Sequence, residues 1–125
     1  MTMVQAPDVS ADIDVWYEGP GQGAEEIMGG TLANFLVVRP NLPDKEAAVI
    51  LNDPAAEWLA ERLGVEPTKE FRERAAEVLG ELWIRHLYRE HRRVDSLSFI
   101  GRAVLEAHPE LVQAFERVWR QRAAA

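Results

Sequence analysis

The 125-residue sequence has no cysteine, so disulfide bonds, thiolate metal sites and cysteine nucleophiles are all excluded. Serine is scarce as well, because Ser10, Ser96 and Ser98 are the only three. None of them stands in the Gly-x-Ser-x-Gly pattern that presents a hydrolase nucleophile. The glycine-rich phosphate-binding pattern that ends in Gly-Lys-Ser/Thr is also missing. These absences argue against hydrolases of the Ser/His/Asp type and against nucleotide-dependent enzymes.

Long apolar runs are absent too. No stretch approaches the roughly 20 apolar residues that a membrane span needs, and residues 1–14 have neither a basic start nor an apolar run. We therefore expect a cytoplasmic protein with no membrane span. The composition, 47% hydrophobic and 28% charged, is typical of a soluble globular protein. The length fits one domain with a sizeable core, here residues 11–125, after a flexible tail over residues 1–10.

The chain has fewer basic than acidic residues, and almost all of the difference lies in its first half. The net charge is −7; residues 1–60 hold ten acidic and two basic side chains, whereas residues 61–125 hold eleven and twelve. A protein that binds nucleic acid irrespective of sequence needs a basic footprint. This chain has at most a local one, so we do not expect nucleic-acid binding.

Strand patterns occupy the first half of the chain. Residues 12–18 alternate polar and apolar, with Ile13, Val15 and Tyr17 on the side expected to face the core. Residues 31–39 and 47–51 are apolar and β-branched, with a proline-containing loop between them. We predict a small antiparallel sheet of about three strands within residues 11–52, with one face packed on helices and the other exposed to water.

Helical patterns occupy residues 53–125. Asp53-Pro54 predicts a helix start with Asp53 as the N-cap, and Gly64 predicts its end. A long helix is expected over residues 68–94, and a third, capped by Asp95, over residues 96–107. His108-Pro109 then starts a fourth helix. The predicted class is therefore α+β, a small N-terminal sheet packed on a bundle of about four helices.

The long helix changes character along its length. With Thr68 as its N-cap, an apolar arc extends from Phe71 to Trp83. From residue 86 onward the same arc carries ionisable side chains, namely His86, Arg89, Glu90 and Arg93. A helix of this length would extend about 40 Å, well beyond the radius of a domain of this size, so we expect one end to overhang the core.

Three interpretations of this ionisable end remain open. The last turns could project into solvent, where arginine also suits the helix dipole. They could form an interface with another subunit or partner through Arg85, Arg89, Arg92 and Arg93. They could instead line an anion pocket in a small ligand-binding protein or enzyme, with His86 and Glu90 as an acid/base pair and Arg89 and Arg93 as the anion grip.

The acidic face of the first strand allows two interpretations. Asp12, Asp14 and Glu18 could hold a divalent cation together with Glu25 or Glu26, because such cations prefer carboxylate oxygens. Acidic side chains on an outer face more often serve solvation and protect an edge strand from aggregation. We therefore predict no metal or other cofactor. Trp16 among these acids is unexpected on an exposed face, so it indicates either a covering element or a binding surface.

The remaining motifs are weak. Residues 19–24 match Gly-x-Gly-x-x-Ala, but no parallel βαβ series follows, so a plain glycine-rich loop is favoured. His86 and His91 are five residues apart, which does not fit the zinc-protease spacing of four. His108 is expected to cap a helix junction. The last two helices suggest a helix-turn-helix only faintly, through outward polar side chains at Gln113, Glu116, Arg117, Arg120 and Gln121.

Because no catalytic set is convincing, the favoured function is a non-enzymatic protein-interaction module. We expect it to form a homodimer in which acidic residues between 12 and 26 of one chain meet Arg85, Arg89, Arg92 and Arg93 of the other. The anion-pocket protein is the alternative, followed by nucleic-acid binding through the arginine-rich helix ends.

Overall fold

The computed structural model describes residues 13–21 and 29–124. The predictions for the tail over residues 1–10 and for residues 22–28 lie outside the described residues. The elements, in chain order, are β1 (Asp14–Pro20), β2 (Gly30–Val38), β3 (Lys45–Asn52), α1 (Asp53–Leu63), α2 (Lys69–His91), β4 (Leu97–Ile100), α3 (Arg102–Ala107) and α4 (Pro109–Ala124). The predicted α+β class, with its N-terminal sheet and C-terminal helices, is confirmed.

The four strands form one mixed sheet in the order β1-β2-β3-β4. β1 to β3 form the predicted antiparallel arrangement, and their alternation of side chains decides which residues enter the core. Ile13, Phe35 and Val49 are buried on the inner side, where α2 crosses all three strands. The opposite side faces away from this core, as the polar and apolar alternation of residues 12–18 predicts.

The predicted third helix over residues 96–107 is wrong for residues 97–100. Those residues form β4, which pairs in parallel with β3, and only Arg102–Ala107 is helical. The side chains of β4 alternate between the two sides of the sheet: Ser98 and Ile100 are buried, whereas the large hydrophobic Leu97 and Phe99 are exposed. The apolar content of this segment suggested a buried helix, but its side chains alternate with the period of a strand.

The long central helix begins as predicted. The Thr68 Oγ1 accepts a hydrogen bond of 3.1 Å from the Phe71 N–H, which satisfies one of the free donors of the first turn. The helix ends at His91, three residues earlier than predicted, because Arg92 adopts a left-handed conformation with φ of 52° and its N–H bonds back to the Tyr88 carbonyl. The overhang is shorter than predicted as well, since Leu87 and Tyr88 are only 5% and 8% exposed and only the last turn projects.

The other helices differ from prediction at their N-caps, and α3 has Gly101 as its N-cap rather than Asp95. α1 begins at Asp53, so its N-cap is Asn52 rather than Asp53. The extended backbone of β3 continues through Asn52, which still pairs with Gly30, and leaves Asp53 as the first helical residue. Gly64 ends α1 in the left-handed conformation, as predicted.

α4 packs against α2 through aromatic rings. The Trp119 ring meets the Phe71 ring edge-on at a centroid distance of 4.9 Å, and Phe115 is fully buried beside it. The outward side chains predicted for this helix, including Gln113, Arg117 and Arg120, are exposed. None of the helices in the described part of the chain combines the length and the apolar sequence needed to cross a bilayer.

Candidate functional site

The outer side of the sheet carries none of the helices in the described part of the chain. Its central positions form three rows across the strands, set by the pairing register: Trp16, Leu36 and Glu46; Asn34, Ala48 and Leu97; Leu32, Ile50 and Phe99. We call these nine residues the open sheet face. Seven of the nine are apolar, and one of these, Ile50, is only 4% exposed within the chain itself.

The exposure of the open sheet face confirms that the described helices lie on the other side. Trp16 is 59% exposed, Phe99 46% and Leu97 44%. The hydrophobic core combines the inward side chains of the strands with those of the helices, and it includes no member of the open sheet face. Single exposed hydrophobic residues are ordinary, but three large ones on one side of a sheet make that side the candidate interaction surface.

A groove of about 570 Å³ crosses this face. Glu18 from β1 and Glu46 from β3 line it, with Asn34 and the small side chain of Ala48 between them on the two central strands. Neither glutamate forms an ion pair or hydrogen bond with another described residue. The groove therefore offers two carboxylates in a mixed setting, in which Asn34 and Ser96 add polar surface beside Ala47 and Ala48.

The arginines that were expected to form an interface at the end of α2 all have contacts within the chain. Arg85 Nε lies 3.1 Å from Glu81 Oε2, and its Nη1 donates to the Ile13 carbonyl at 3.2 Å. The Arg93 guanidinium lies 3.0 Å from Asp95 and that of Arg89 lies 3.6 Å from Glu90. The fourth of them, Arg92, has its guanidinium carbon 5.3 Å from the centroid of the Tyr88 ring. Arg89 and Arg93 stay largely exposed despite their partners, so they remain accessible to a second molecule.

His86 has two aromatic neighbours in addition to the predicted Glu90, which is near enough to raise its pKa. Its ring stacks on Trp83 at 5.6 Å and meets the His108 ring edge-on at 5.0 Å, whereas Glu90 lies beside Arg89. His108 does cap α3, as predicted, but the same position also brings it against α2. We call Trp83, His86 and His108 the histidine cluster. Trp83 and His86 are neighbours on one helix turn, but His108 comes from a position too far along the sequence for spacing to reveal its contact with them.

The surroundings of His86 favour its neutral imidazole. Burial lowers the pKa of His86, and the nearby His108 and Arg89 lower it further, while Glu90 and Glu110 act in the opposite direction. The Nδ1 of His86 and the Nε1 of Trp83 are buried and have no hydrogen-bond partner in the described structure. These two unpaired polar atoms are the only feature of the cluster that suggests a ligand.

The acidic face of β1 is only partly described. Asp14 and Glu18 are exposed on the outer side of the sheet, as predicted, while Asp12, Glu25 and Glu26 lie outside the described residues. Within residues 13–21 and 29–124, no group of three or more His, Asp or Glu side chains is arranged to hold a metal ion. The structure therefore adds no support for the cation interpretation.

No protein-family model, curated protein or solved structure matches this chain at a significant level.

Proposed function

We propose that this protein is a non-enzymatic interaction module whose binding surface is the open sheet face. The observation that carries the proposal is the exposure of Trp16, Leu97 and Phe99 on one side of a sheet whose other side is fully packed. Burying large aromatic side chains contributes most of the affinity at typical protein interfaces. A monomer that leaves them in water is expected to have a partner that covers them.

The first experiment is native mass spectrometry of the protein purified gently from its own cells. A second polypeptide in the complex would then be purified and its affinity measured against Trp16→Ser and Phe99→Ser variants. We expect each substitution to weaken binding by about tenfold or more, because an aromatic hot spot contributes roughly 2 kcal/mol.

The matched controls are Leu42→Ser and Val65→Ser, since these hydrophobic side chains are also exposed but lie outside the open sheet face. Their affinities should equal that of the unmodified protein. If all four variants bind alike, the sheet is not the binding surface and the proposal fails.

Self-association is a second interaction of the same class, and the exposure of Arg89 and Arg93 on the last turn of α2 supports it. In this homodimer the two guanidinium groups would exchange their exposed partners within the chain for carboxylates of a second copy. Such exchange costs little, because exposed ion pairs contribute at most about 1 kcal/mol each.

A small-ligand function is the second candidate, and the unpaired His86 Nδ1 and Trp83 Nε1 favour it. The histidine cluster would bind the ligand, with Arg89 as the nearby cation. NMR titration of the His86 ring with phosphate and with acetate tests this function. Shifts confined to the cluster would support it, whereas an unresponsive ring would count against it.

A further inference from the structure

The chemistry of the open sheet face also defines the kind of partner that it fits. We propose that the occupant is an apolar segment of another polypeptide that places one Lys or Arg side chain between Glu18 and Glu46. This inference rests on the proposed function, because it requires the open sheet face to be the binding surface.

Charge on this face has a single sign. The acidic side chains on the outer side of the sheet are Asp14, Glu18 and Glu46, and the basic side chains of β3 and of the loop before it are hydrogen-bonded to backbone carbonyls. The Nζ of Lys45 donates to the Val94 carbonyl, and an Nη of Arg39 donates to the Pro43 carbonyl. The carboxylates of the groove thus have no internal counter-ion among the described residues, and a partner must supply the positive charge.

The groove has room for a long basic side chain. Its volume of about 570 Å³ lies over the small Ala48, with Asn34 on its floor and one glutamate on either side. The methylene groups of Lys or Arg cover apolar surface while the charged head stays polar. A guanidinium can also bind a carboxylate through two parallel hydrogen bonds, which adds geometric specificity.

A second copy of this chain does not fit the same surface. Two open sheet faces brought together would oppose acidic side chains of equal sign. On the rest of the described chain the exposed large hydrophobic residues are Leu42 and Val65, which lie in separate loops and form no apolar surface of matching size. The apolar rows of the sheet therefore require a different polypeptide.

The test is selection of a random peptide library on the immobilised full-length protein. Three proteins are compared: the unmodified chain, the Glu18→Lys/Glu46→Lys variant and the Trp16→Ser/Phe99→Ser variant. Circular dichroism and thermal unfolding confirm that all three are folded. We expect the unmodified chain to enrich apolar peptides with a central Lys or Arg, and the charge-reversed variant to enrich peptides with Asp or Glu at that position.

Synthetic versions of the best peptides then give affinities. Charge reversal should weaken binding of the basic peptide more than tenfold at low salt, with a smaller loss at high salt. The Trp16→Ser/Phe99→Ser variant should bind neither class of peptide.

The remaining outcomes separate the inference from the proposed function. Enriched peptides that need Trp16 and Phe99 but carry no basic residue would overturn the inference alone. Peptides that bind equally well without Trp16 and Phe99 would overturn the proposed function as well. A failure to enrich any peptide would contradict the inference, as would self-association that depends on Trp16 and Phe99, since the occupant would then be a second copy.

Discussion

At the scale of single residues, His86 shows how the neighbours of a side chain decide what chemistry it can perform. The sequence places it on the apolar arc of α2 with Glu90 in reach as its partner. In the structure the His86 ring contacts the Trp83 and His108 rings, which also contact each other, and Glu90 forms its ion pair with Arg89. A histidine packed against two aromatic rings is better suited to packing than to proton transfer, unless a ligand supplies partners for its nitrogens.

The lowered pKa of His86 predicts how stability depends on pH. In the unfolded chain this histidine binds a proton at its ordinary pKa of about 6.5, whereas the folded chain binds it only at lower pH. Between those two values the unfolded state holds more protons, so the free energy of unfolding falls as the pH drops. The His86→Phe variant keeps the stacked ring and should lose this part of the decline.

Urea unfolding at a series of pH values between about 7.5 and 5 measures the difference. The control is His91→Phe, because His91 is exposed on the last turn of the same helix. Its pH profile should match that of the unmodified protein. A His86→Phe profile parallel to that of the unmodified protein over the whole range would contradict the prediction.

At the scale of elements, the approach of α2 to the sheet depends on Gly80. A Cβ at this position would lie 2.7 Å from the Phe35 ring and 3.4 Å from Val49, and both side chains are fully buried. Alanine is the better helix former by about 1 kcal/mol. Overpacking a rigid core costs about 1–3 kcal/mol, so steric conflict is expected to decide the result.

Gly80→Ala should therefore lower the free energy of unfolding, against the helix preference, by up to about 2 kcal/mol. Chemical denaturation measures the change. The matched variant is Gly80→Ala combined with Phe35→Leu, in which the smaller side chain makes room for the new methyl group. The added alanine should cost less in that background than in the unmodified protein, and an equal or larger cost would exclude the contact with Phe35 as the cause.

The elements that depend on local chemistry were predictable, and those that depend on distant pairing were not. Thr68 caps α2 through its own hydroxyl, and Gly64 ends α1 through its own backbone, so both boundaries follow from single residues. β4 is different, because four residues give too few alternations to separate a strand from a helix. Its identity comes from pairing with β3, which lies almost fifty residues earlier in the chain.

Some residues of the candidate site could likewise be predicted from local sequence, and others could not. Alternation along residues 12–18 placed Trp16 and Glu18 on the outer side of the sheet, where the structure has them. Two other members of the open sheet face, Leu97 and Phe99, were expected to be buried in a helix. Because residues 97–100 form a strand instead, these two side chains lie on the same side of the sheet as Trp16, at its opposite edge.

At the scale of the whole molecule, most of the basic residues and the exposed apolar surface lie in different parts of the fold. The acidic residues of the first half include those around the groove, and the basic residues are concentrated in the helical half. Two kinds of contact are therefore available to one chain. The open sheet face needs an apolar partner with a cation, whereas the exposed arginines at the end of α2 need only carboxylates.

The second kind of contact predicts salt-sensitive self-association. Replacing Arg89 and Arg93 with Glu should lower the sedimentation mass at low ionic strength, because the reversed charges would repel the acidic residues of a second copy. The effect should shrink as salt rises, since exposed charges are screened over about 8 Å at physiological ionic strength. The control is Arg117→Glu/Arg120→Glu on α4, which changes the net charge by the same amount on another exposed surface. Equal masses for the two double variants would remove the end of α2 as a self-association site and leave the open sheet face as the protein's proposed binding surface.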